Sequence, residues 1–404
     1  MNPTETRNAG LLPVAIVLLA GMVAALNIGK LPPSMPALRQ SFSLTLVQAS
    51  YLVSIFQLAG LSLGLFGGLL ADRFGPRRVM GCGLALLALS SGAGAFAGDA
   101  LTLLVLRALE SAGFILTVLP GPALLRRGVD PARLSWALGC WGCYMPAGMA
   151  TMMLATPWLI GQWGWTSAWA VCAGLAVLTL LVLQRVPPDA RRADTSDGVA
   201  RLARDTLGSP GPWWLALCFG LYAGQFIAMF SFLPTVYLAA GISAALAGSL
   251  SALGVAVNVL GNLAAGVLLT RGVPRHWLIA GTSLVMAAGA GAAFAEALPF
   301  GWRFFAVLCF SAAGGLIPGT LFATAPRFAP HAGAVSTTTG LMQQGSAIGQ
   351  ALSPPLVAAV ASGPGGWPLA SACLAAFALA NLGAAWAIGR FEARQAVSRV
   401  SAGR

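Results

Sequence analysis

The chain has 404 residues, of which 57% are hydrophobic and only 8% charged, and it carries a formal net charge of +12. Soluble domains run near one quarter charged, so these side chains cannot cover a water-facing surface and an ordinary globular protein is excluded. An arginine excess of this size would fit nucleic acid in a soluble protein, but here its distribution along the chain carries the meaning.

Apolar runs of about 18 residues or more are long enough to cross a bilayer, and they repeat from end to end. They predict twelve spans, at 11–31, 47–70, 79–96, 100–124, 134–159, 167–183, 213–237, 245–269, 276–297, 300–323, 336–360 and 367–388. With the N-terminus inside, every Lys and Arg except Lys30, Arg39, Arg107 and Arg303 falls in a cytoplasmic segment. That asymmetry places both termini in the cytoplasm. The first run is read as a mature helix, because it is long, ends in Lys30 without a small-residue cleavage site, and is followed by eleven more. All seven cysteines lie in or at the edge of spans. Cys140-x-x-Cys143 imitates a redox or metal pair, but with two histidines and no second pair, packing is the reading, and neither metal nor cofactor is expected.

The longest polar stretch, 185–212, separates six spans from six, which predicts a first bundle at 1–184, a cytoplasmic linker at 185–212 and a second bundle at 213–404. Marker residues recur at an offset of 198: Asn27 with Gln225, Pro36 with Pro234, Gly68 with Gly266, Arg73 with Arg271, Pro76 with Pro274, Arg77 with Arg275, and Pro120-Gly121 with Pro318-Gly319. Two halves related in this way place a shared cavity between them, near the middle of the bilayer.

Between the second and third spans lies GLLADRFGPRRVM, with Asp72, Arg73, Arg77 and Arg78 crowded into seven residues. The connection is short, so its two helices are antiparallel neighbours; Gly75 supplies backbone freedom and Pro76 a preset helix start. Twelve spans in two halves, with Gly68-x-x-x-Asp72-Arg73-x-Gly75-x-Arg77-Arg78 in this place, resemble the major facilitator superfamily of secondary transporters over the whole chain, Pro76 being the main irregularity. NIGKLPPSMPALRQSF, WGCYMPAGMA and GQWGW resemble, more loosely, its branch of cyanate and nitroimidazole transporters. The resemblance implies an all-α membrane fold and a cytoplasmic gate at Gly68, Asp72, Arg73, Gly75, Arg77 and Arg78, with Asp72 latching the halves together. In the second copy Arg271 and Arg275 are kept, but Thr270 replaces the acid. The arginines have a simpler reading as lipid-facing orientation signals. Asp72 has none.

Charges inside a span are expensive and mark a pathway. Arg107 and Glu110 share one face of the fourth span, about 10 Å below the outer surface at 1.5 Å per residue, and Asn27 and Lys30 stand at a similar depth in the first. Lys30 has an alternative, snorkelling to the head groups, and Arg107 with Glu110 an alternative as a structural pair. The resemblance implies that spans one, four, seven and ten line the cavity, and Arg107 falls on the arginine of the family's R-x-x-Q-G motif, with Glu110 and Ser111 replacing the glutamine and glycine. If Lys30, Arg107 and Glu110 all face it, their net charge is positive and a small anion is the natural ligand, with Glu110 as a proton carrier. Tyr144, Gln225 and Gln343 complete the candidate set, while Asn262 and Gln350 read as packing glue.

The function expected is therefore secondary active transport of a small solute, a small anion being the favoured cargo, coupled to protons, by a monomer in the lipid of a bacterial inner membrane. Drug or metabolite efflux is the alternative, weakened because Gly142 to Gly148 keeps only scattered elements of the exporters' span-five pattern. A membrane sensor is the alternative of another class, but the linker and tail leave no room for an output domain. No nucleophile–base pair or phosphate loop points to an enzyme, and nothing points to nucleic acid.

Overall fold

A computed structural model describes residues 11–57, 60, 74–128, 141, 143–187, 201, 204–331 and 334–402. Of the predicted gate residues, Gly68, Asp72 and Arg73 lie outside the described residues, as does the start of the fifth predicted span. Among the described residues there is no strand.

The helices of the first half are α1 (Leu11–Gly29), α2 (Leu31–Phe42), α3 (Leu46–Ser54), α4 (Pro76–Gly94), α5 (Ala100–Val118), α6 (Gly121–Gly128), α7 (Tyr144–Trp163) and α8 (Thr166–Leu183). Those of the second are α9 (Pro210–Ala239), α10 (Ala244–Thr270), α11 (Arg275–Ala293), α12 (Phe300–Gly314), α13 (Leu316–Phe328), α14 (Val335–Ala361) and α15 (Gly366–Ala402). Each of the twelve predicted spans overlaps at least one of them. Among the described residues, eight helical stretches are long and apolar enough to cross a membrane, and three of these, Leu12–Phe42, Ala100–Leu125 and Phe300–Phe328, run on through an interruption between two helices.

The kinks have local causes. Pro32 and Pro33 open α2; lacking N–H groups, they cannot continue the hydrogen-bond ladder of α1, so the first span breaks at Lys30 and resumes to Phe42. The second span tightens into a 3₁₀ turn at Ile55–Gln57. At the start of α4, Gly75 has φ 92° and Pro76 takes the first helical position, as the tight turn requires.

Packing falls into two groups. In the first, α1 lies against α7 and α8, and α4 against α5 and α8; in the second, α9 lies against α14 and α15, and α11 against α12 and α15. The α1–α7 and α9–α14 pairs occupy equivalent places in the sequence repeat. At the second pair backbones touch: a Cβ added to Gly349 would stand 1.9 Å from the Gly220 carbonyl oxygen, so only glycine permits this approach. The groups meet through α2 on α9, α3 on α14 and α7 on α10, and Gly248 of α10 sits against Pro157 and Met153 of α7. The α2–α9 and α7–α10 contacts lie at the end of the bundle remote from Arg77 and Arg275.

A buried charge cluster and a cavity between the halves

Four predicted residues meet in the first half. The Lys30 ammonium donates to Glu110 Oε1 at 2.7 Å, to Asn27 Oδ1 at 2.8 Å and to Ser91 Oγ at 2.6 Å. Arg107 donates through Nη1 to Glu110 Oε2 at 2.6 Å and to the Asn27 carbonyl at 2.7 Å, and through Nε to the Leu52 carbonyl at 3.3 Å. Lys30 lies 4.5 Å from the Trp169 ring centroid and the Arg107 guanidinium 4.4 Å from that of Phe56, so both cations also rest on aromatic faces. Ser111 donates to the Phe56 carbonyl and pins α5 against the second span.

The cluster is dry. Asn27, Lys30 and Glu110 are 0% exposed and Arg107 1%. Lys30 therefore does not reach for head groups; it is spent inside. One carboxylate bridges two cations through separate oxygens, leaving one positive charge uncompensated when all three are ionised.

That excess charge borders a cavity. Arg107, Gln57 and Ser231 line it together with apolar side chains such as Phe56 and Ile227, and its free space is about that of one water. Ile227 and Ser231 come from α9, so the cavity lies on the boundary between the halves. Among the described residues Nη2 of Arg107 has no acceptor.

The other candidates lie apart. Tyr144 packs against Trp141 with ring centroids 4.7 Å apart and the rings tilted by 34°, beside Gly21 and nearly two turns along α1 from Asn27. Gln225 is buried on α9 with Nε2 unpartnered among the described residues, about 160° round the helix from Ile227 at 3.6 residues per turn. Gln343 is half-buried on α14. Asn258 donates to Tyr222 Oη at 3.1 Å and to the Ser311 carbonyl at 3.0 Å, and Asn262 to Asn258 Oδ1 at 2.9 Å, a neutral network inside the second half. Gln350 donates to Ser346 on its own helix. Of the gate residues, Arg77 donates to the Gln184 carbonyl at 2.8 Å within the first half, Arg78 is exposed and Arg271 caps α10. Arg275 pairs with Glu392 of α15 at 3.0 Å, within the second half. Sequence reasoning missed Ser91, Trp169, Gln57 and Ser231.

The Major Facilitator Superfamily model matches residues 17–354, and the chain belongs to that superfamily. It is therefore a multi-pass membrane transporter and not an enzyme. The cyanate transport protein CynX of Escherichia coli (strain K12) is 25% identical over 264 residues, 65% of this chain and 66%, just under two thirds, of that protein. The probable nitrate/nitrite transporter NarK2 of Mycobacterium tuberculosis is 30% identical over 330 residues, covering 79% of this chain and 80% of that one. The 2-nitroimidazole transporter of Escherichia coli (strain K12) is 24% identical over 386 residues, 93% of each. In fold, a crystal structure of a bacterial homologue of the human lysosomal transporter Spinster, inward-facing and occupied, matches with a TM-score of 0.78 at 16% identity over 93% of this chain and 96% of that one.

Proposed function

We propose that the chain carries a small monovalent anion, together with protons, across a bacterial inner membrane by alternating access, as a monomer with both termini in the cytoplasm. The observation that carries this is the uncompensated positive charge buried beside the boundary cavity. A buried net charge is costly to a fold, and an anionic cargo is what neutralises it. The names of CynX and NarK2 support the same class of cargo.

Proton coupling is assigned to Glu110. While ionised it occupies both cations; a proton on it releases them, takes the site from one positive charge to two, and draws the anion in. Losing that proton on the inner side restores the Lys30–Glu110–Arg107 bridge and expels the cargo. The bundles 1–184 and 213–404 rock about their interface, and the remote-end contacts of α2 with α9 and α7 with α10 support a state closed to the outside. Family resemblance supports a latch at Gly68, Asp72, Arg73, Gly75, Arg77 and Arg78 for the opposite state. Arg271 and Arg275 belong to its weaker second copy, Arg275 acting as a brace to Glu392.

Thermal stabilisation of purified protein by nitrate, nitrite and cyanate, beside lipophilic cations and a neutral nitroaromatic, tests the reading. At 100 times its dissociation constant a ligand stabilises by about 2.7 kcal/mol. Stabilisation by an anion that Arg107→Ala abolishes is the expected result, followed by proton-driven uptake in liposomes. The 2-nitroimidazole relative, which covers 93% of the chain, favours a second reading, transport of a neutral compound; a response to the nitroaromatic alone would establish it over the first.

A further inference from the structure

The cavity between the halves holds two polar groups besides Arg107. Ser231 of α9 is 0% exposed, and among the described residues its hydroxyl has no partner. Helix serines elsewhere in the chain return theirs to the carbonyl four residues back: Ser34 to Lys30, Ser249 to Ala245 and Ser283 to Ile279, at 2.7 to 2.8 Å. Ser54 and Ser251 also lack partners, but neither lines this cavity. Gln57, at the 3₁₀ end of the second span, is 8% exposed and its amide makes no hydrogen bond among the described residues. A buried polar group without a partner is costly; the Ser231 hydroxyl, facing the same cavity as the Gln57 amide and the Arg107 guanidinium, indicates a ligand that satisfies it.

We infer that Ser231 and Gln57 complete the anion site begun by Arg107, so that cargo is gripped across the boundary by one half's guanidinium and amide and the other half's hydroxyl. The inference rests on the anion reading above and narrows its cargo. Arg107 Nη2 and Gln57 Nε2 offer donors from planar groups, and the Ser231 hydroxyl rotates to meet a third acceptor. Ile28, Leu31, Pro32, Val53, Phe56 and Ile227 form the apolar remainder of the wall. Such a site suits a linear or planar monovalent anion of three or four heavy atoms. It rejects sulfate or phosphate, whose dehydration one net positive charge does not repay. The space present, about one water, is smaller than such an anion, so cargo enters as the halves part and is held as they return.

The test uses the full-length protein with nitrate and sulfate as probes, dissociation constants being read from melting-temperature titrations. Wild type is expected to respond to nitrate and not to sulfate. Ser231→Ala and Gln57→Leu should each weaken nitrate about tenfold or more, the range for losing a hydrogen bond to a charged group. Ser231→Thr, which keeps the hydroxyl, should stay within about threefold of wild type, and Ser283→Ala should match it. If Arg107→Ala abolishes binding while Ser231→Ala and Gln57→Leu bind as wild type does, the cross-boundary grip is wrong and the anion reading stands. If neither nitrate, nitrite nor cyanate stabilises wild type, both fall together. Should Ser231→Ala fail to fold, Gln57→Leu decides on the same criterion.

Discussion

Replacing Glu110 with glutamine keeps the shape of the cluster and removes its one negative charge. Glu110 stands 2.7 Å from the Lys30 ammonium and 2.6 Å from the Arg107 guanidinium. At charge separations of roughly 4 Å and an effective dielectric of about 20, each attraction is worth about 4 kcal/mol. Breaking a buried pair by removing one partner costs about 3–5 kcal/mol, and here two cations are stranded at once. The unliganded Glu110→Gln protein should therefore melt well below wild type. The same change leaves one more positive charge for an incoming anion. At roughly 6 Å that charge adds about 3 kcal/mol of attraction, which is on the order of 100-fold in affinity. Nitrate should consequently rescue the variant's melting temperature at concentrations that leave wild type unmoved. In liposomes the variant should retain exchange of internal for external anion and lose accumulation driven by a pH gradient. An unchanged melting temperature with unchanged nitrate affinity would refute the electrostatic reasoning. Surviving pH-driven accumulation would refute Glu110 as the proton carrier.

Three further outcomes are expected. Asp99 caps α5 by accepting from the Thr102 N–H at 2.9 Å and hydroxyl at 2.7 Å, and those bonds hold its carboxyl below the usual carboxylate range. Its small contribution is therefore full above pH ~3.9 and disappears as pH falls through the lowered value; Asp99→Ala should melt slightly below wild type at pH 7 and converge with it in acid. Gly349→Ala forces a methyl onto the Gly220 carbonyl and should cost about 1–3 kcal/mol or more by overpacking, whereas Gly281→Ala, which meets open space, should be neutral; equal melting temperatures would contradict the backbone-contact account. Asp72→Asn should slow uptake while leaving nitrate affinity near wild type, and unimpaired uptake would remove the latch.

The spans were legible because lipid leaves a sequence little choice: each run must be apolar for its whole length, and helix ends fall within a few residues of the expected bounds in most spans. The interruptions at Lys30, Leu119 and Gly315 were not taken from the sequence. Pro32-Pro33 and Pro120 carried the signal for the first two. The meeting of Asn27, Lys30, Arg107 and Glu110 was legible for a related reason, since a charge in a span must find a partner and few were on offer. Ser91, Trp169, Gln57 and Ser231 left no such mark. Hydroxyls, amides and aromatics are ordinary in spans, and what sets Ser231 apart is an unmade bond to its own helix at a position that lines the boundary cavity. Tyr144 and Gln225 show the converse limit: helical periodicity assigns a face, but not what that face meets.

The repeat carries the arginines of the short cytoplasmic turns into both halves but not the charges inside the spans. At the offset of 198, Lys30 maps to Ala228, Arg107 to Phe305 and Glu110 to Leu308, so every charge of the cluster belongs to one half. The other half offers neutral groups, the Asn258 network and the tight α9–α14 seam. In the proposed mechanism a cargo anion is anchored electrostatically to the first bundle throughout the cycle, because moving it away from Arg107 would separate charges in a medium of low dielectric. The second bundle needs only to carry Ser231 toward the anion and away again. Its backbone-to-backbone seam suits that task, because helices packed without intervening side chains have little freedom to slide and move as one body. Placing a second positive charge there, at Ala228, would give the cargo two competing anchors and strand a cation in a half whose carboxylates, Glu296 in the turn after α11 and Glu392 paired with Arg275, lie at the ends of spans. In that mechanism the asymmetry of charge is what lets a repeated scaffold hold an anion on one side of its boundary and open on either side of the membrane.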